Sequence, residues 1–114
     1  MKSQHTIKYT RDRDRFHAIE MYTREHLSAN LHTASVARQF RIGRTTLEQL
    51  FREFNHTSFR QYVEEVRLTA AFRLLQEPHA TVKEVMYACG YTNRSTFNNA
   101  FKKKYRYSPG YFRK

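Results

Sequence analysis

Much that would point to other protein classes is missing from this 114-residue chain, which has one cysteine, Cys89, three glycines and two prolines. A single cysteine excludes an internal disulfide and a multi-cysteine zinc site, and it suits a reducing cytosol. So few chain breakers, with apolar residues recurring mostly at helical spacing, predict an almost wholly helical chain with short turns. No apolar run approaches the roughly 18 residues of a spanning helix, and there is no signal-peptide core, so nothing argues for export or membrane insertion. The six histidines, His5, His17, His26, His32, His56 and His79, form no i,i+4 pair or HExxH frame. No metal site or other cofactor is expected from such a set. There is no Gly-rich phosphate loop and no readable set of acid, base and nucleophile, which makes an enzyme the weakest functional class. The length suits one compact domain or two small subdomains, not a catalytic domain beside a binding domain.

Acidic residues are scarce in one place in particular. The formal net charge is +11 and the pI about 10.2. Residues 92–114 hold Arg94, Lys102, Lys103, Lys104, Arg106, Arg113 and Lys114 without one acid, whereas residues 58–91 hold four basic and four acidic residues. The excess therefore belongs to particular faces, and it predicts attraction to a polyanion. Nucleic acid is one such partner. The alternative is a basic helical interaction module that binds an acidic protein or an anionic membrane surface.

In chain order, residues 1–10 lack periodicity and read as a loose arm. Asp12 or Asp14 is placed to cap a first helix reaching about His26, with Phe16, Ile19 and Tyr22 inward and Leu27 at its end. Val36, Ala37 and Phe40 make one face of a short second helix. Arg41-Ile42-Gly43 interrupts it, and a third helix resumes with Leu47, Leu50, Phe51 and Phe54 inward. Two short helices joined by about three residues, with the small Ala37 permitting close approach, are the signature of a helix-turn-helix. Ser58 and Gln61 form a capping box for a long helix to about Gln76, ended by Pro78. Its apolar positions wrap more than one face, and at about 1.5 Å per residue it spans about 28 Å, enough to join two subdomains. Thr81 and Glu84 make a second capping box, opening a helix with Val82, Val85 and Met86 that breaks near Cys89-Gly90-Tyr91. Ser108-Pro109, a cap followed by a first-turn proline, begins a last short helix.

The segment from Thr92 to Lys104, TNRSTFNNAFKKK, carries the most chemistry. As a helix it buries Phe97, Ala100 and Phe101 along one stripe, while Arg94, Ser95, Asn98, Asn99, Lys102 and Lys103 occupy the other faces. An Asn amide matches the N6/N7 edge of adenine, an Arg guanidinium forks onto the O6/N7 edge of guanine, and Lys neutralises phosphate. The outer face of the third helix is similar, with Arg44, Thr45, Glu48, Gln49 and Arg52.

These two stretches belong to an internal repeat. Leu50-Phe51-Arg52 and Ala100-Phe101-Lys102, Ser58 and Ser108, and Tyr62 and Phe112 each stand fifty residues apart. Upstream of the turns the offset is 49, pairing Val36-Ala37 with Val85-Met86, so the second turn is one residue longer. The chain thus encodes two helix-turn-helix units.

With SVARQF…LEQLFREF, VRLTAAFRLL and VKEVMYACGYTNRSTFNNAFKKKYRYSPGYFR in the right order, roughly residues 16–114 resemble the DNA-binding domain of the AraC/XylS family of bacterial transcription regulators. The resemblance implies an all-α fold in which two helix-turn-helix subdomains, joined by a long central helix, place their second helices in successive major grooves of bent DNA. On that basis the chain divides into an arm (1–10), a first subdomain (11–57), a linker helix (58–77) and a second subdomain (78–114). By position, base contacts fall on Arg44, Thr45, Glu48 and Gln49 in the first unit and on Arg94, Ser95, Asn98 and Asn99 in the second. Arg52, Lys102 and Lys103 are expected at phosphates. The expected partner is double-stranded DNA, with RNA polymerase a further candidate and no membrane, in the cytoplasm at the nucleoid. Two recognition faces on one chain, and no third apolar stripe left over, lead us to expect a monomer.

The chain departs from the family pattern at several points. Members commonly have Gly in the loop after each recognition helix, where this chain has His56 and Arg106, although a left-handed backbone there would favour Gly. Met86 replaces a small Ala and is expected to separate its two helices or demand repacking. Gly43 replaces Ser at a cap, a weaker but acceptable choice.

Overall fold

A computed structural model describes residues 4–113, and among these it contains seven helices and no strand. They are α1 (Gln4–Glu25), α2 (Thr33–Gln39), α3 (Arg44–Asn55), α4 (Phe59–Leu75), α5 (Val82–Ala88), α6 (Arg94–Tyr105) and α7 (Pro109–Phe112). None of the described helices is long and apolar enough to cross a membrane. The chain forms two compact units, one comprising Met1–His26 with Asn30–Val63 and the other Leu27–Ala29 with Glu64–Lys114. The division falls inside α4, and the three-residue stretch after His26 belongs to the second unit.

The largest correction concerns the arm. Residues 4–10 are helical and continue without a break into the rest of α1, while residues 1–3 lie outside the described residues. Within this turn Lys8 Nζ reaches Asp12 Oδ2 at 2.6 Å, an i,i+4 pair that supports a helix without an apolar period, and Thr10 Oγ1 donates back to Thr6 O at 3.1 Å. Asp12, expected to begin the helix, therefore serves inside it as an ion-pair partner. The Tyr9 ring also lies 5.5 Å from Phe54.

In the first unit Phe16, Ile19, Val36, Ala37, Leu47, Leu50 and Phe51 are buried, as their spacing predicts. Phe51 sits at the centre, with Phe16 at 4.8 Å, Tyr62 at 4.9 Å and Phe59 at 5.0 Å between ring centroids. Such aromatic pairs each add about 0.5–1.5 kcal/mol beyond the area they bury. Thr23 is also buried, and its hydroxyl is satisfied by Ile19 O at 2.8 Å. The Ser58–Gln61 capping box forms in both directions, with Gln61 N donating to Ser58 Oγ and Ser58 N to Gln61 Oε1.

The second unit repeats the scheme. Leu68, Ala71, Leu75, Val85, Met86, Cys89, Phe97 and Phe101 are buried together, and Phe72, Tyr105 and Phe112 extend the cluster. Met86 is accommodated inside this core with 4% of its surface exposed. Thr81 Oγ1 accepts from Glu84 N, and Asn93 Oδ1 accepts from Thr96 N at 2.9 Å to start α6. Ser108 precedes α7 but makes no side-chain cap bond.

The two turns have the same construction. Ile42 N donates to Ala37 O and Tyr91 N to Met86 O, both at 3.0 Å, with the left-handed residue between being Arg41 (φ 57°) in one and Gly90 (φ 90°) in the other. This is the Schellman pattern of helix termination. Four residues separate α2 from α3 and five separate α5 from α6, in line with the shift in repeat offset.

After α3 and α6, His56 (φ 63°) and Arg106 (φ 74°) take the left-handed conformation that Gly would adopt more easily. A non-glycine residue is about 1–2 kcal/mol worse there. Replacing the exposed Arg106 by Gly is therefore expected to stabilise the second unit by about 1 kcal/mol. A higher denaturant midpoint for Arg106→Gly checks this, and an unchanged or lower one refutes it.

Candidate nucleic-acid interface

The helices α3 and α6 are each the second of a two-helix unit, and each buries a stripe three and four residues apart. In α3 the stripe is Leu47, Leu50 and Phe51, and in α6 it is Phe97 and Phe101. Burying that stripe leaves the opposite side in solvent. Arg44, Thr45, Gln49 and Arg52 are exposed on α3, and Arg94, Ser95, Asn99, Lys102 and Lys103 on α6. Four of these pairs, 44/94, 45/95, 49/99 and 52/102, stand fifty residues apart, so the repeat extends to the outward face.

Two of the residues expected to read bases are placed differently. Glu48 is half-buried, and its Oε2 accepts a hydrogen bond from Phe59 N at 3.2 Å, at the first residue of α4. The carboxylate thereby satisfies one of the orphan donors of a helix start and complements its dipole. Asn98, fifty residues on, is also half-buried, and its Oδ1 is enclosed with no hydrogen-bond partner. Helical spacing puts both beside the buried stripe, at an angle where a side chain can go either way, and for Glu48 the bond to the start of the following helix decides.

Lys104 is drawn off as well, since its Nζ pairs with Glu65 and lies 5.4 Å from the Tyr105 ring centroid. The cationic groups left outward on α6 are Arg94, Lys102 and Lys103. Across both helices the exposed set offers guanidinium forks, amides and hydroxyls for base edges, with flexible cations a turn further along.

Sequence reasoning passed over the arginine that holds residues 27–29 beside the turn preceding α6. Arg67 Nε donates to Leu27 O at 3.2 Å and Nη2 to Ala29 O at 3.1 Å, with the guanidinium carbon 6.0 Å from the Tyr91 ring centroid. Burial lowers the pKa of Arg67 and pushes the Cys89 thiol up to about 11 and the Tyr91 hydroxyl up to about 12. Cys89 is thus a packed thiol, shut away from solvent in an environment that disfavours its thiolate. Nothing in the spacing of Arg67 distinguishes it from a solvated arginine.

Comparisons with known proteins agree with this architecture. Residues 36–114 match the family described as "Helix-turn-helix domain". The HTH-type transcriptional regulator GlxA of Rhizobium meliloti (strain 1021) is 36% identical over 84 residues, covering 74% of this chain and 26% of that protein. Among solved structures, the C-terminal domain of the response regulator AraT from Geobacillus stearothermophilus superposes with a TM-score of 0.82 at 25% identity, covering 87% of this chain and 83% of that one. The DNA-binding domain of AdpA, a global transcriptional factor solved with a target DNA, shares the fold with a TM-score of 0.79 at 23% identity, covering 85% of this chain and 87% of that one. The chain spans 26% of the length of GlxA and 35% of that of the HTH-type transcriptional regulator YijO of Escherichia coli (strain K12), to which it is 34% identical over 99 residues. With a family match over most of its length and the same two-unit helical fold, the chain belongs to the AraC/XylS family of transcription regulators, whose helix-turn-helix domain binds DNA.

Proposed function

We infer that this domain reads an asymmetric DNA site by inserting α3 and α6 into successive major grooves of one duplex. The observation that carries this is the repeated outward pattern at 44/94, 45/95, 49/99 and 52/102 on equivalent helices of two units. Arg44, Thr45 and Gln49 face bases in one half-site, and Arg94, Ser95 and Asn99 in the other. Arg52, Lys102 and Lys103 contact phosphates. Glu48 and Asn98 are outside the base-reading set for the packing reasons given above. The AdpA domain solved with its target DNA supports this use of the shared fold. In the cell the domain works at the nucleoid in the cytoplasm, where RNA polymerase is its further partner in raising or lowering transcription.

Selection on random duplex DNA tests the reading. The expected product is a non-palindromic site of about 20 base pairs with half-sites about one helical turn, or roughly 34 Å, apart. Sedimentation with that duplex should give one chain per site. A stable dimer without DNA, or a strictly palindromic product, would contradict it.

The division between base and phosphate contacts makes a second expectation. Asn99→Ala should weaken the selected site by about 1–3 kcal/mol, relax one base pair and spare non-specific binding. Lys102→Ala should weaken selected and scrambled duplexes alike and reduce the salt slope by about one unit. If Asn99→Ala recovers the parental motif at parental affinity, Asn99 reads no base.

A further inference from the structure

We propose that Glu48 is a positioning residue, tying recognition helix α3 to the start of α4, and that base selection by the first unit depends on this tie. The inference rests on the DNA-binding reading above and concerns how one recognition helix is held. Phe59 is fully buried, so its backbone N–H has no water to turn to, and Glu48 Oε2 is the acceptor it finds. Removing the carboxylate leaves a buried donor unpaired at the N-terminus of a 17-residue helix. That is costly, and α3 relaxes through a change of pitch or rotation relative to α4 within the unit. Gln49 and Arg52 are exposed within one turn of Glu48, so a small rotation there moves both away from base and phosphate together.

The second unit lacks this tie, and the covalent chemistry of its sequence explains why. The residue fifty positions after Phe59 is Pro109, buried at the start of α7 and without an N–H to donate. Its partner by the same offset, Asn98, keeps a buried, unpaired Oδ1. The same place in the repeat therefore holds a bonded acceptor in one unit and an orphaned one in the other, and the two recognition helices differ in what orients them.

The experiment compares Glu48→Ala, Glu48→Gln and Glu48→Asp by random-duplex selection, and by affinity for the parental selected duplex and a scrambled duplex of the same composition. Glutamine keeps an acceptor oxygen at the same reach, whereas aspartate keeps the charge but falls a methylene short. Alanine and aspartate should weaken the selected duplex about tenfold, leave the scrambled duplex within about twofold, and blur several base pairs of one half-site only. Glutamine should recover the whole parental motif. The Phe59 amide should lose protection from hydrogen exchange in the alanine and aspartate variants and keep it in the glutamine variant. Asn98→Ala, lacking a tie to break, should leave both half-sites unchanged. A glutamine variant with an altered preference at a single base pair would make Glu48 a base reader and overturn the proposal. So would alanine and aspartate variants that lose stability yet select the parental motif at parental affinity, because the bond would then be structural only. Where alanine prevents folding, the aspartate and glutamine pair decides between the same outcomes. If the parent protein itself selects no motif, the DNA-reading conclusion fails first, and the two failures are told apart.

Discussion

Gly90→Ala should cost the second unit about 3–5 kcal/mol, a large share of the roughly 5–15 kcal/mol that holds an ordinary domain folded. A Cβ at this position would stand 2.2 Å from Leu27 O and 2.8 Å from Arg67 Nε. The first neighbour is backbone and cannot swing aside. Three separate costs then combine: an L-residue at φ 90° is strained by about 1–2 kcal/mol, overpacking costs about 1–3 kcal/mol, and the charge-assisted bond from Arg67 to Leu27 O is stretched or lost. These costs share neighbours, so they are not fully additive.

The matching turn in the first unit supplies the control. Arg41 sits there at φ 57° with an exposed side chain, so that turn tolerates a Cβ, and Arg41→Ala should change stability little. Denaturant unfolding of both variants makes the comparison. A second readout comes from Cys89, buried next to Gly90 with its thiol pKa raised to about 11 by burial. It should be almost inert to alkylation in the parent and should react readily in Gly90→Ala. A variant as stable and as unreactive as the parent would mean that Leu27–Ala29 does not lie against the Gly90 turn.

The second large effect is ionic. Between about 50 and 200 mM salt, affinity for duplex DNA should fall by about a thousandfold or more. The formal charge is +11, and the last 23 residues contribute seven cations and no acid. If six to eight phosphates are neutralised, log K falls against log salt with a slope of about −5 to −7. A basic module made to bind acidic proteins or anionic membranes would also weaken with salt. It would not keep a preference for one duplex over its scrambled counterpart along the titration. A slope near zero, or equal affinity for any anionic polymer, would defeat the DNA-reading account. The ion pair of Lys104 with Glu65 predicts that Lys104→Ala changes the slope less than Lys102→Ala does.

Helix positions, the two helix-turn-helix units and most of the core were legible in the sequence because they follow from local rules. Leu47, Leu50, Phe51, Phe97 and Phe101 could be assigned inward from spacing, since a helix repeats every 3.6 residues whatever it packs against. The Ser58–Gln61 and Thr81–Glu84 caps and the extra residue in the second turn likewise depend on residues close in the chain. The start of α1 was missed because its exposed residues leave no apolar period to read, the Lys8–Asp12 pair being a polar i,i+4 contact.

For the interface, the sequence by itself determined which two helices carry the polar faces and, through the fifty-residue repeat, which positions correspond. Only the tertiary structure decided which of those side chains remain available. Glu48 and Gln49 are neighbours of similar length, yet one bonds the buried Phe59 amide and the other faces solvent. Asn98 and Asn99 are identical residues, separated only by the 100° between successive helix positions and by what lies beside each. The need for glycine at 90 but not at 41 is of the same kind, because it comes from Leu27 O, a backbone atom more than sixty residues away in the chain. Periodicity records which way a residue points along its own helix, whereas a buried amide, an opposing carbonyl or an absent proline N–H is supplied by another element.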